Sequence, residues 1–173
     1  GVYEKDVNLA VALKLKPLLE EKGIRVILTR EGDEGLYRET DSNKKKADLK
    51  ERCRIIEESG ADFVVSIHQN SYGSEEVHGS QVFYYKGSAK GKDLAVRIQE
   101  RLNAVSGTEK EAVPNGSYYM LLNVSCPIVI AECGFLSNPG EAALLASGDY
   151  QEQMARAMAE GIFEWLGILD TQA

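Results

Sequence analysis

The chain has 173 residues, 43% hydrophobic and 27% charged, a globular balance that excludes disorder and collagen-like repeats. Its 27 Asp and Glu residues outnumber 20 Lys and Arg, and the net charge of −7 argues against nucleic acid, because duplex binding needs concentrated positive charge. A chain of this length buries about 70% of its unfolded surface, enough for a single domain over residues 1–173.

Other classes fall away quickly. Three cysteines, Cys53, Cys126 and Cys133, are an odd number with no CxxC spacing, so they are read as buried free thiols rather than a disulfide framework or a cysteine-rich zinc module. No apolar run approaches the roughly 20 residues of a membrane span, and the opening residues do not read as a secretory leader.

In chain order, Val7, Val11, Leu15, Leu18 and Leu19 repeat at helical spacing, predicting a helix from Glu4 to Gly23 with Pro17 as a kink point. Arg25 to Thr29 (RVILT) reads as a buried strand between breakers. The polar stretch from Glu31 to Lys46 ends in Lys44, Lys45 and Lys46, expected to be a solvated helix start or loop. Leu49, Cys53 and Ile56 stripe a second helix closed by Gly60. Asp62 to Ile67 and Ser80 to Tyr85 read as strands, and Leu94, Ile98, Leu102 and Val105 as a third helix. Ser106 to Ser117 reads as a loop, and Tyr118 to Leu122 as a short helix or an irregular segment. Pro127 to Ala131 (PIVIA) is apolar throughout, as a strand covered on both faces should be. Pro139 to Ala146 predicts a short helix, and Met154, Met158, Ile162 and Trp165 a final long one. The alternation predicts an α/β fold: a mostly parallel sheet with helices on both faces.

Ligands of open α/β sheets bind beyond the carboxyl ends of strands. His68 follows the strand ending at Ile67, and Glu132 follows Ile128 to Ala131. If the two strands are parallel, the pair shares one edge. A carboxylate ending so apolar a strand requires a cation, a metal or a strong donor nearby, the plainest being a salt bridge to Arg30. Glu4, in the first turn of the first helix, is by itself a carboxylate favoured by the helix dipole. With His68 it becomes a candidate pair of zinc ligands. His78, beside Gly79, reads as a surface residue. Cys133 is adjacent to Glu132, but its apolar neighbours predict a buried, unreactive thiol. There is no GxSxG elbow and no Walker A loop.

Four segments, taken together, resemble the zinc-dependent N-acetylmuramoyl-L-alanine amidases of the amidase-3 type. They are Glu4-Lys5-Asp6-Val7-Asn8-Leu9-Ala10, Leu28-Thr29-Arg30, the run Ala61 to Asn70 (ADFVVSIHQN), and the run Pro127 to Glu141 (PIVIAECGFLSNPGE). The similarity runs from Tyr3 to about Trp165, and Tyr119 to Leu122 with Glu141 to Leu145 is similar to the spore-germination branch. The resemblance implies hydrolysis of the amide between N-acetylmuramic acid and L-alanine of bacterial peptidoglycan. It implies Glu4 and His68 as two zinc ligands and Glu132 as the catalytic glutamate. It also implies action outside the cytoplasmic membrane, in the cell wall or spore envelope, with a protein activator a further option.

One departure stands out. The family's first ligand is a His in an Asp-Pro-Gly-His-Gly-Gly loop after its first strand, and residues 1–173 contain no such loop. The expectation is therefore an amidase-like catalytic domain that lacks the family's first strand and one ligand at its N-terminal end. The alternatives are a metal-free muropeptide-binding module of amidase descent and, more remotely, an intracellular α/β binding protein using His68 and Glu132 as polar anchors. Arg30, Arg38 and Arg52 are candidates for stem-peptide carboxylates, with surface or ion-pair roles preferred. Substrate-contacting residues are otherwise unassigned.

Overall fold

The computed structural model describes residues 1–169. Elements follow in the order α1 (Glu4–Glu20), α2 (Lys44–Ser59), β1 (Val64–Asn70), β2 (Gln81–Tyr85), α3 (Ala89–Ser106), β3 (Val113–Asn115), α4 (Tyr119–Asn123), β4 (Ile128–Phe135), α5 (Pro139–Leu145) and α6 (Gly148–Leu166). The four strands form one sheet in the order β1-β4-β2-β3. β1 runs parallel to β4, and β2 is parallel to β3 but antiparallel to β4. The α/β class and the mostly parallel ladders hold, with β2 reversing the sheet's direction.

Strand alternation divides β4 between two cores. Val129, Ala131 and Cys133 join Val7, Val11, Leu94, Ile98, Met154 and Ile162 in a layer built with α1, α3 and α6. Ile128 and Ile130 face the opposite way, against Cys53 and Ile56 of α2 and Met120 and Leu121 of α4. Both faces of β4 are covered, which is why its sequence lacks the polar alternation of a half-exposed strand.

Local signals set most helix ends. Asn43 caps α2 by accepting the Lys46 N–H at 2.9 Å, and Gly60 closes it at φ 64°, where a side chain would be strained. Ser88 and Ser147 cap α3 and α6 in the same way. Pro17 lies in the last turns of α1, which ends at Glu20.

Residues 25–29, expected to form a strand, join no ladder. A strand exists through its partner's hydrogen bonds, and among the described residues β1 pairs only with β4. The open flank of β1 borders a cavity of about 1100 Å³, with Ile24 to Leu28 on one wall and Val64 to Ile67 on the other. In the opposite direction, the loop expected between Ser106 and Ser117 contains β3, whose Val113 to Asn115 pair with Phe83 to Tyr85. Tyr118 to Leu122, undecided from sequence, contributes α4 from Tyr119. Cys53 and Cys133 are buried as expected, whereas Cys126 is only partly covered.

Candidate active site

The parallel β1–β4 ladder places His68 opposite Glu132. Both residues lie inside their strands, which extend to Asn70 and Phe135, rather than just past them. The polar side chains at these positions mask a backbone ladder that does not depend on them. Paired residues in register share a face, and His68 and Glu132 line one cavity of about 230 Å³ with Ile130, Met120, Tyr118, Tyr119, Leu49 and Lys45.

Glu4 reaches this edge from the first turn of α1. Its Oε1 lies 3.0 Å from His68 Nδ1 and accepts the Gln69 backbone N–H at 3.3 Å. Asn8, four residues on and hence on the same helix face, donates its amide N–H to the same oxygen at 3.3 Å. The His68 contact, resisted by burial and aided by Asn8 and Gln69, holds the Glu4 carboxyl below the usual range. The second His68 nitrogen, Nε2, is 2.9 Å from Ser66 Oγ, two residues back on the same face of β1. The ring is therefore held at both nitrogens.

Glu132 has the opposite environment. Its Oε2 is buried and has no hydrogen-bond partner among the described residues. Burial raises its pKa to about 7; the nearby His68 opposes the rise and the Glu4 carboxylate adds to it. The expected salt bridge to Arg30 does not form. Arg30 instead donates to the carbonyls of Gly32, at 2.7 Å, and Lys5, tying the following loop to the start of α1. Arg52 is likewise committed, paired with Asp48 at 2.6 Å and bound to Thr29 Oγ1 at 2.8 Å. His78 is exposed, with Nδ1 2.9 Å from the Glu76 carbonyl.

The donor set fits zinc in kind. Imidazole and carboxylate are common zinc ligands, and a ligating His has its other nitrogen engaged by a neighbour, the place Ser66 occupies. Glu4 and His68 provide two donors, and no group of three His, Cys, Asp or Glu residues converges among the described residues.

Several participants escaped sequence reading. Ser66 was legible from its two-residue spacing to His68, and Asn8 from its four-residue spacing to Glu4. Tyr118, whose ring meets Phe83 edge-on at 5.3 Å, and Met120 reach the cavity only because α4 folds under the sheet. Lys44, Lys45 and Lys46 are all exposed at the start of α2, as expected, with Lys44 paired to Glu39 at 2.8 Å and Lys45 on the rim of the cavity.

The chain and its fold are similar to those of known proteins. The chain is 38% identical to the germination-specific N-acetylmuramoyl-L-alanine amidase of Bacillus subtilis (strain 168), over 95% of this chain and 71% of that protein. The CwlD amidase from Clostridioides difficile, solved in complex with the GerS lipoprotein, superposes with a TM-score of 0.92 at 41% identity, covering 97% of this chain and 88% of that one. The catalytic domain of CwlV, an N-acetylmuramoyl-L-alanine amidase from Bacillus (Paenibacillus) polymyxa var. colistinus, gives 0.82 at 32% identity, covering 96% and 86%. Residues 1–164 match the Amidase_3 family as a whole, and on that match the chain belongs to the N-acetylmuramoyl-L-alanine amidases.

Proposed function

We propose that residues 1–173 belong to the catalytic domain of a zinc-dependent peptidoglycan amidase that cleaves between N-acetylmuramic acid and L-alanine. The observation that carries the catalytic reading is the buried, unpartnered Glu132 Oε2 beside His68 and Glu4. Glu4 and His68 would hold the metal.

When bound, zinc lowers the pKa of a water to about 7 and polarises the amide carbonyl. The chain's own residues do the rest. Glu132, buried beside His68 with one carboxylate oxygen unpartnered, is placed to take a proton from the attacking water and deliver it to the departing amine of L-alanine. Ser66 orients the His68 ring. Lys45, Tyr118 and Tyr119 present a cation and two aromatic rings to the substrate beside Glu132.

Action outside the cytoplasmic membrane, in the cell wall or spore envelope, is supported by relatives named as a germination-specific amidase and as cell wall amidases. No helix among the described residues is long and apolar enough to cross a membrane. The GerS complex of the Clostridioides relative supports a protein partner for this chain as well.

The test uses the full-length native protein and purified peptidoglycan. Release of stem peptides with a new N-terminal L-alanine, loss of that release with chelator or with Glu132→Gln, and recovery with zinc are the expected results. Muropeptide binding without release by the zinc-loaded protein would favour the non-enzymatic module. Full activity in Glu132→Gln would remove Glu132 from the role of base.

A further inference from the structure

All three hydrogen bonds to Glu4 fall on Oε1: from His68 Nδ1 at 3.0 Å, the Asn8 amide at 3.3 Å and the Gln69 N–H at 3.3 Å. The chain of contacts continues inward, because the Gln69 side chain donates through Nε2 to Asn8 Oδ1 at 3.2 Å. Gln69 is only 5% exposed, and its own Oε1 has no partner among the described residues. A buried amide oxygen left unsatisfied costs about 1–3 kcal/mol. The amide lies beside the buried Cys133 thiol and holds Asn8 Oδ1, which leaves the Asn8 N–H group turned toward Glu4.

We propose that Gln69 and Asn8 are positioning residues, a two-amide relay that holds Glu4 Oε1 at the α1–β1 edge and so places the carboxylate beside His68, where both side chains would turn to a metal. The inference deepens the zinc-site reading above and rests on it for the identity of the ion. The geometric part stands without it: α1 and β1 meet at this edge through these amides, and the relay sets the angle at which the Glu4 carboxylate faces His68.

The relay is separable from a purely structural staple. In the full-length protein, Gln69→Leu removes both the donor to Asn8 and the orphaned oxygen. The expected result is zinc binding weakened 10- to 100-fold, the range for outer-shell partners of metal ligands, with the urea midpoint of the chelator-treated protein unchanged or raised. Asn8→Leu should weaken zinc by a similar factor. The double variant should be no worse than Asn8→Leu alone, since the two residues act through one chain. A crystal structure of metal-free Asn8→Leu should show the Glu4 carboxylate displaced from His68 Nδ1. Zinc affinity within twofold of the parent in both single variants, or a Glu4 carboxylate unmoved in that crystal structure, overturns the relay. A parent protein that binds no zinc overturns the metal reading instead, and the crystal structure still decides the relay.

Discussion

His68 and Glu132 are paired in register across the parallel β1–β4 ladder, and this one pairing turns two residues 64 positions apart in sequence into walls of the same cavity. The ladder's backbone hydrogen bonds fix their spacing whatever their side chains do. The partners that surround them then give them contrasting characters: His68 is held at both nitrogens, whereas Glu132 is left unpaired in a partly dry site.

That contrast makes Glu132 a source of pH-dependent instability. Its folded pKa, about 7, lies above its ordinary value of 4.5, so the folded state binds the proton more tightly than the unfolded state. Stability therefore falls as pH rises from about 4.5 to about 7, and the full penalty remains above that. Each tenfold change in proton affinity is worth about 1.4 kcal/mol. In chelator-treated protein, Glu132→Gln should match the parent near pH 4.5 and exceed it by a few kcal/mol at pH 8. Urea denaturation at the two pH values checks this, and an equal gap at both would contradict the burial of the charge.

Ser66 supplies a prediction on metal affinity. It engages His68 Nε2 at 2.9 Å. Ser66→Ala should weaken zinc by about 10- to 100-fold, whereas His68→Ala should abolish stoichiometric binding. Competition against a fluorescent chelator separates the two, and neither change should unfold the protein, since neither side chain belongs to the apolar core.

Glu141 is a structural carboxylate that sequence reading passed over. It is buried, and its two oxygens accept the backbone N–H groups of Gly79 at 2.9 Å and Phe135 at 2.7 Å. Glu141→Ala strands both donors, each at about 1–3 kcal/mol. The expected loss is about 2–5 kcal/mol, read from the urea midpoint, with the end of β4 exchanging its amide protons faster than the rest of the sheet.

At Gly161, α6 packs tightly against the backbone of α3. A Cβ there would sit 2.8 Å from Ile98 Cα and 2.9 Å from Ile98 N, both backbone atoms that cannot rotate away. Although alanine favours helix by about 1 kcal/mol over glycine, overpacking at this crossing costs about 1–3 kcal/mol. Gly161→Ala should therefore lower the melting temperature, and a rise would show that the two helices can separate without loss.

Cys133 gives a chemical check on the core. Burial first of all, with the Glu132 charge adding to it and Gln69 opposing, pushes its thiol up to about 12. At pH 8 it should stay unmodified by a thiol reagent until the protein unfolds, while the partly covered Cys126 reacts in the native state.

The sequence by itself determined the helices and the central strand. Periodic apolar stripes, serine and asparagine caps and closing glycines are local signals, and α2, α3, α5 and α6 end close to where those signals stand. It also marked His68 and Glu132, each a polar residue at the end of an apolar strand pattern, with Glu4 of interest only beside His68, and its acidic balance argued against duplex nucleic acid. Tertiary structure decided what depends on partners distant in the chain. The RVILT run has the composition of a strand but no ladder, because strand pairing is non-local and the neighbouring flank of β1 is open. Glu132 meets His68 and Glu4 rather than Arg30, because the β1–β4 register and the docking of α1 decide which charges come within reach. Its proton affinity follows from that enclosure and not from its neighbours in sequence.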